Sequence, residues 1–436
     1  MKGICTLLGV VGLGLGVVGI VLYVQGPYEE SKGLTPYRHR AIDSRYPFGH
    51  ISAQDAGDID GDRYPDIVIR SGKSGEAEIA WYRNPLGKDR NGDREWTKYR
   101  IASDAYPSGN RSSGSALLVF DVNRDGRPDV ITGAKVKDIG NGLFWWEAPE
   151  DPRTGDWRRH LIAAPASVTG EEFAPHDMRL ADIDQDGRAD LVIGGSSNQG
   201  VYWARIPMAP SQATNWELLR IGSPRGSSYA GLAVGDINGD GRPDVVHADV
   251  WYQSSDPLSQ PEWRAYAYGA INIPPSNVEL YDMDRDGKLD IVVSSGHSGE
   301  YGQVVWYKAV GGPESLWTPM AISSQSLAGP ESLLVLAGPP ENSPHIVTAE
   351  MDFLGVSEQR RMFLYSPAGP ELTVWQEIIL HTGKNFRSLK AVDLDRDGDL
   401  DLSAISFTEP DGYAHVDWFE NTGEFLHEKP GARTSD

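Results

Sequence analysis

Asp282-Met283-Asp284-Arg285-Asp286-Gly287-Lys288-Leu289-Asp290 runs directly into Ile291-Val292-Val293. Acidic side chains occupy positions 1, 3, 5 and 9 of this nonapeptide, and glycine occupies position 6. Alternate residues of a tight turn aim their carboxylates at one point, and a hard cation relieves their repulsion. A donor set made only of oxygen suits calcium rather than zinc. The glycine supplies the left-handed backbone that a loop wrapped round an ion needs.

The pattern recurs. Five further copies give six loops in all, and the residue at position 7 completes each candidate ligand set. The sets are Asp58, Asp60, Asp62, Tyr64 and Asp66; Asp121, Asn123, Asp125, Arg127 and Asp129; and Asp182, Asp184, Asp186, Arg188 and Asp190. They continue with Asp236, Asn238, Asp240, Arg242 and Asp244; Asp282, Asp284, Asp286, Lys288 and Asp290; and Asp393, Asp395, Asp397, Asp399 and Asp401. Up to six structural calcium ions are expected. Arg63 takes the glycine position of the first loop, which predicts strain there.

Strands flank each loop on both sides. An apolar run enters it, as in Gly231-Leu232-Ala233-Val234, and a β-branched run leaves it, as in Asp129-Val130-Ile131. An aromatic pair follows: Trp81-Tyr82, Trp145-Trp146, Tyr202-Trp203, Trp251-Tyr252, Trp306-Tyr307, Leu364-Tyr365 and Trp418-Phe419. A fourth run starts on an aromatic and carries an apolar or aromatic residue five positions later. Its copies are Tyr37…Ile42, Trp96…Ile101, Trp157…Ile162, Trp216…Ile221, Trp263…Tyr268, Trp317…Ile322 and Trp375…Leu380. All 13 tryptophans fall in these two repeated positions, as packing between neighbouring sheets requires. Four short strands repeated seven times predict an all-β, seven-bladed β-propeller of four-stranded blades. An EF-hand is excluded, since it needs flanking helices and its last ligand at position 12.

The last unit lacks a fourth strand and the first fourth-type strand lacks a unit before it. Tyr37 to Ile42 is therefore expected to close the last blade; Phe425-Leu426-His427 is the competing segment. In the sixth unit Ala337, Pro339, Glu341 and His345 stand at positions 1, 3, 5 and 9, with Asn342 at the glycine position. That blade is expected to fold without an ion, with His345 as a turn residue rather than a ligand.

Residues 4–24 carry no charge and are long enough to cross a bilayer. The expected organisation is a transmembrane signal anchor at 1–26, a short stalk at 27–36, the propeller at 37–424 and a tail at 425–436. The domain is then membrane-anchored and extracytoplasmic, either periplasmic or at the cell surface. Cleavage of the segment as a signal peptide is the alternative, and either route exports the domain. Gly9, Gly12, Gly16 and Gly19 share one helical face, which suits a homodimer contact. The net charge of -22 argues against nucleic acid as a partner. It has a local source, because the six loops hold 22 carboxylates at positions 1, 3, 5 and 9. The sole cysteine, Cys5, excludes a disulfide framework.

Asp236-Ile237-Asn238-Gly239-Asp240-Gly241-Arg242-Pro243-Asp244-Val245-Val246, with an aromatic pair after it, resembles the FG-GAP-like or VCBS repeat family, whose calcium loops also occur in integrin α-subunits. The resemblance implies calcium in the hairpin between the first two strands of six blades, all on one face, with ligands taken on the opposite face. Loops of that opposite face carry Tyr46 and His50, Tyr106 and Arg111, Glu171, Glu172, His176 and Asp177, Arg225 and Tyr229, His297 and Tyr301, His381, Asn385 and Arg387, and Tyr413 and His415. A binding module for a glycan or a protein is the expected function. The alternative is a carbohydrate-active enzyme, a polysaccharide lyase or sugar dehydratase, drawing on His50, His176, Tyr229, Arg111 and Arg387. A propeller that merely spaces other proteins is a third reading.

Overall fold

The computed structural model describes residues 36–423 except 48–49, 74–75, 88–94, 104–115, 137–139, 165–174, 196–199, 224–229, 255–262, 270–272, 274, 297–299, 312–314, 340–342, 353–358, 408 and 410. The expected membrane helix, its glycine face, the stalk up to residue 35 and the tail lie outside these residues. Among the described residues no helix is long and apolar enough to cross a membrane.

Seven four-stranded antiparallel sheets make up most of the described residues. Blade 1 comprises Ile51–Gly57, Asp66–Lys73, Glu76–Arg83 and Thr97–Ala102; blade 2 comprises Leu117–Phe120, Asp129–Val136, Gly140–Glu147 and Arg158–Ala163. Blade 3 is Pro175–Ala181, Asp190–Gly195, Val201–Arg205 and Leu219–Gly222; blade 4 is Leu232–Gly235, Asp244–His247, Val250–Gln253 and Arg264–Ala267. Blade 5 is Pro275–Tyr281, Asp290–Ser295, Val304–Lys308 and Thr318–Ala321; blade 6 is Pro330–Gly338, Ser343–Glu350, Arg361–Pro367 and Trp375–Thr382. Blade 7 takes Phe386–Val392, Asp401–Ser406 and Ala414–Asn421 from the end of the chain and Tyr37–Tyr46 from its beginning. Each innermost strand lies against those of both neighbouring blades, and blade 1 meets blade 7.

The core is divided into seven apolar clusters, one per seam between blades. The period-2 alternation of a strand explains the division. In blade 1, Val68 and Trp81 face blade 2, whereas Ile67, Ile69 and Tyr82 face blade 7. Pairing register aligns Trp81, Trp145, Trp203, Trp251, Trp306, Leu364 and Trp418, each opposite the residue two past position 9. Each of these seven side chains faces the next blade. The expected pair Tyr202-Trp203 is thus one residue out of step. Trp203 is the first member and Ala204 the second, while Tyr202 packs backward against blade 2. A buried ring of roughly 200 Å² contributes about 5 kcal/mol before entropy is counted.

The outer tryptophans stitch the seams through the backbone. Trp216 donates its N–H to Ile162 O at 2.7 Å, Trp263 to Ile221 O at 3.0 Å, and Trp317 to Tyr268 O at 2.9 Å. At the closure, Gln54 of blade 1 donates to Ser388 O at 2.8 Å and accepts from Ser403 Oγ at 2.7 Å. The repeats did not forecast a small ribbon pairing Tyr301–Gly302 with Leu327–Ala328, near the start of blade 6.

Candidate functional site

All six acidic loops are hairpins between the first and second strands of their blades, at one end of the ring. The position-1 carboxylate gathers backbone N–H groups from across its loop. Asp121 accepts from Asp125 at 3.1 Å and Gly126 at 2.9 Å, and Asp182, Asp236 and Asp282 repeat the pair. Two turns of left-handed backbone make this wrap. Position 6 has φ between 81° and 101°, and position 4 is also positive, at Gly61, Arg124, Gln185, Gly239, Arg285 and Arg396. Arg63 adopts φ 81°, so the first hairpin keeps the shape with a side chain that disfavours it.

Position 9 has a role the spacing alone did not reveal. Its Oδ2 accepts the N–H of position 2 in all six hairpins, at 2.9–3.1 Å. Its Oδ1 accepts an N–H from the end of the third strand in five: Asn84, Ala148, Ser254, Ala309 and Asn421. Burial pushes these carboxyls up, to about 7 in Asp129, Asp244 and Asp401 and about 6 in Asp190 and Asp290, against the pull of their N–H donors. Neighbouring aspartates add to the rise.

Four hairpins bring three carboxylates within 4.8 Å of one another: Asp58, Asp60 and Asp62; Asp182, Asp184 and Asp190; Asp282, Asp284 and Asp290; Asp393, Asp395 and Asp401. The other two have Asn123 and Asn238 at position 3. Buried Oδ1 atoms of Asp58, Asp284, Asp393 and Asp399 have no hydrogen-bond partner among the described residues. An all-oxygen donor set with orphaned carboxylate oxygens fits a hard divalent cation.

Blade 6 joins its first two strands in the same register, with Ala337, Pro339 and His345 at positions 1, 3 and 9. Leu336 stands opposite His345 as Gly235 stands opposite Asp244. His345 bonds Ser366 Oγ through Nδ1 at 2.8 Å and Pro339 O through Nε2 at 2.9 Å. It thereby spans from the loop to the third strand, as the position-9 aspartates do. Burial lowers its pKa, so a neutral ring does this work. Glu341 and Asn342 lie outside the described residues.

The opposite end holds the ligand-face candidates, and the ring sorts them. His50 stacks on Phe407 with ring centroids 4.6 Å apart and planes 5° from parallel. Arg387 places its guanidinium 5.2 Å from the same Phe407 ring. His176 lies 3.0 Å from Asp177, which also accepts the Gly231 N–H at 3.0 Å. Burial alone would raise Asp177, but His176, Arg179 and that N–H hold it well below the usual carboxylate range. Arg387 also feels the charges of Asp177 and Glu331, although burial lowers its pKa. Arg70, not anticipated, is fully buried nearby, bonding Ser52 and Thr132, and burial with Arg387 lowers it to about 9. The innermost strands are also joined by ion pairs, Arg179 to Glu279 at 3.3 Å and Lys390 to Asp55 at 3.2 Å.

Other candidates do not join this mouth. Tyr46 is core, with its hydroxyl 2.9 Å from Glu78. His381 and His39 meet edge to face at 4.9 Å, and His39 lies 2.7 Å from Asp417 at the seam of blades 6 and 7. His415 lies 3.6 Å from Asp411, and Asn385 accepts the Asp352 N–H at 2.9 Å. Tyr301 and Tyr413 are exposed. Tyr106, Arg111, Glu171, Glu172, Arg225, Tyr229 and His297 lie outside the described residues.

Comparison with known proteins agrees with this architecture. The FG-GAP-like repeat family matches residues 58–132 and 182–247, which contain the hairpins of blades 1 to 4. Integrin alpha pat-2 of Caenorhabditis briggsae is 26% identical over 262 residues, covering 53% of this chain and 20% of that protein. Human phosphatidylinositol-glycan-specific phospholipase D is 24% identical over 310 residues, covering 62% of this chain and 35% of that protein. The chain therefore spans only about a fifth to a third of these relatives. The crystal structure of BP39L lectin from Burkholderia pseudomallei superposes with a TM-score of 0.52 at 14% identity, over 86% of this chain and 99% of that one, a likeness of fold. The chain is thus a seven-bladed β-propeller whose residues 58–132 and 182–247 are similar to the FG-GAP-like repeat family.

Proposed function

We propose that this protein is an exported, membrane-anchored binding module whose hairpins hold structural calcium and whose opposite face takes a glycan or protein ligand. Positions 1, 3, 5, 7 and 9 of the six hairpins supply the calcium ligands, and the ion fixes the turn between two strands. The uncharged segment within 1–26 is the anchor, and it puts the propeller where calcium is abundant enough to fill weak sites. The glycine face of that segment is where two copies would pair.

The observation that carries the ligand face is the His50–Phe407–Arg387 layer at the ring mouth. His50 is 337 residues from Arg387 and 357 from Phe407 in sequence, and it meets them only because blade 7 closes against blade 1. The half-buried His50 ring backed by Phe407, with the guanidinium and the His176–Asp177 pair, suits a ligand with a ring face and hydrogen-bonding or acidic substituents.

The test is a screen of the full-length chain against glycans and extracellular proteins, scored for binding and for cleavage together. Saturable binding without turnover, weakened at least about tenfold in a folded His50→Ala variant, is the expected result. Turnover of an acidic polysaccharide would replace this reading with the lyase alternative. Absence of any saturable ligand would leave the spacer role.

A further inference from the structure

The six hairpins are not equivalent, and what separates them is partly outside the nonapeptide. Two residues beyond the third-strand position that faces the next blade stand Arg83, Glu147, Arg205, Gln253, Lys308, Ser366 and Glu420, in blades 1 to 7. The third strand runs back toward the hairpin end, so this side chain comes beside position 3. In blades 1, 3 and 5 position 3 is Asp, and the neighbour is a base. Arg83 lies 2.5 Å from Asp60 and 2.9 Å from Asp62, Arg205 pairs with Asp184, and Lys308 with Asp284. In blades 2 and 4 position 3 is Asn. Asn123 donates to Glu147 at 3.1 Å, and the residue beside Asn238 is the neutral Gln253.

Blade 7 follows neither rule. Asp395 at position 3 faces Glu420, and position 7, basic or Tyr elsewhere, is Asp399. Oδ1 atoms of both Asp393 and Asp399 are buried without a hydrogen-bond partner among the described residues. The hairpin borders an open cavity of about 490 Å³, lined by Arg40, Trp96, Asp395, Asp397, Trp418 and Glu420 among others, through which an ion has access. This hairpin also touches the strand that closes the ring. Tyr37 donates its hydroxyl hydrogen to Leu400 O at 3.5 Å, and Glu420 is held by Arg38 at 3.4 Å and Arg40 at 2.7 Å.

We propose that the blade-7 hairpin is the tight calcium site and acts as the latch on ring closure, whereas blades 1, 3 and 5 carry a built-in cation that calcium must displace. The inference rests on the calcium reading above and adds an order of filling to it. Calcium affinity rises with the negative charge of its ligand set, and a resident ammonium or guanidinium cancels part of that charge. An ion in blade 7 orders residues 393–401. That fixes the Leu400 carbonyl for Tyr37 and leaves Glu420 to the two arginines of the closing strand.

The test is calcium titration of the purified full-length chain, with bound ions counted by native mass spectrometry and the closing strand followed by limited proteolysis. One ion should bind at calcium concentrations about tenfold below the others, and protection of residues 37–46 should track that ion. The double variant Asp395→Asn, Asp399→Asn should lose that ion and its protection. Lys308→Gln should tighten one of the weaker sites about tenfold and leave the first ion unchanged. No bound calcium at any concentration would overturn the calcium reading itself. Calcium binding as a single class, or a first ion that survives the double variant, would overturn this inference while leaving that reading intact. So would Lys308→Gln without effect on any weak site.

Discussion

Asp66 accepts the backbone N–H of Asn84 at 2.7 Å while its other oxygen accepts the N–H of Ile59 at 2.9 Å. One buried carboxylate thus joins the hairpin to the third strand, and the same pair of bonds recurs at Asp129, Asp244, Asp290 and Asp401. Position 9 is therefore a fastener in its own right, whatever the ion does. In Asp244→Ala, the N–H groups of Ile237 and Ser254 are left buried and unbonded, at a cost of roughly 3–5 kcal/mol. Asp240→Asn keeps the backbone network and should cost less than about 1 kcal/mol once calcium is chelated. Urea unfolding of both variants in excess chelator checks this, and equal losses would contradict it.

Removing calcium should weaken the whole ring. Three or four carboxylates per hairpin sit within reach of one another, and burial already raises several of them. A site filled at a hundredfold over its dissociation constant stabilises by about 2.7 kcal/mol. With several sites, chelator should lower the melting temperature by roughly 10 °C or more, and added calcium should restore it. A melt indifferent to chelator would end the structural role of the ion.

The repeated nonapeptide and the two tryptophan positions made the ring legible, because each side chain has one job in a seam and recurs with it. The degenerate blade 6 was equally readable, since Ala337 and Pro339 cannot hold a cation. Register was not. Tyr202 and Trp203 look like the other pairs, and only the pairing of Val192 with Trp203 shows that Ala204 fills the tyrosine's place. The mouth was readable only as a set of loops. His50 and Arg387 share Phe407 because the ring closes, a contact no local pattern encodes. The bases on the hairpins left a signal that could have been used. Arg83, Arg205 and Lys308 each stand two residues after a repeated tryptophan, and only where position 3 is Asp.

Arg63 should be a weak point of blade 1. It holds φ 81° where five other hairpins have glycine, a conformation that costs a residue with a Cβ about 1 kcal/mol. Its side chain is not one of the proposed calcium ligands, and its N–H still reaches Asp58 at 2.8 Å. Arg63→Gly should keep that bond and raise stability by up to about 1 kcal/mol, read from the urea midpoint in calcium. A loss of stability would show that the side chain matters more than the strain.

Acid should destabilise the propeller through His247. The ring is fully buried in blade 4, and neither nitrogen has a hydrogen-bond partner among the described residues. Burial holds its pKa down to about 4; Asp177 pulls it up and His176 pushes it down. The unfolded chain takes up this proton near pH 6.5, the folded chain only near 4, so unfolding absorbs a proton between those values. Stability from this group is complete above pH 6.5 and falls as the pH drops toward 4, by up to about 3 kcal/mol, then levels off. Hairpin carboxylates titrate in the same range with the opposite sign, so the comparison needs saturating calcium and a reference variant. The difference in unfolding free energy between the native chain and His247→Gln should change with this slope between pH 6.5 and 4. A difference that stays constant over that range would mean that the histidine remains neutral in both states or is protonated in both.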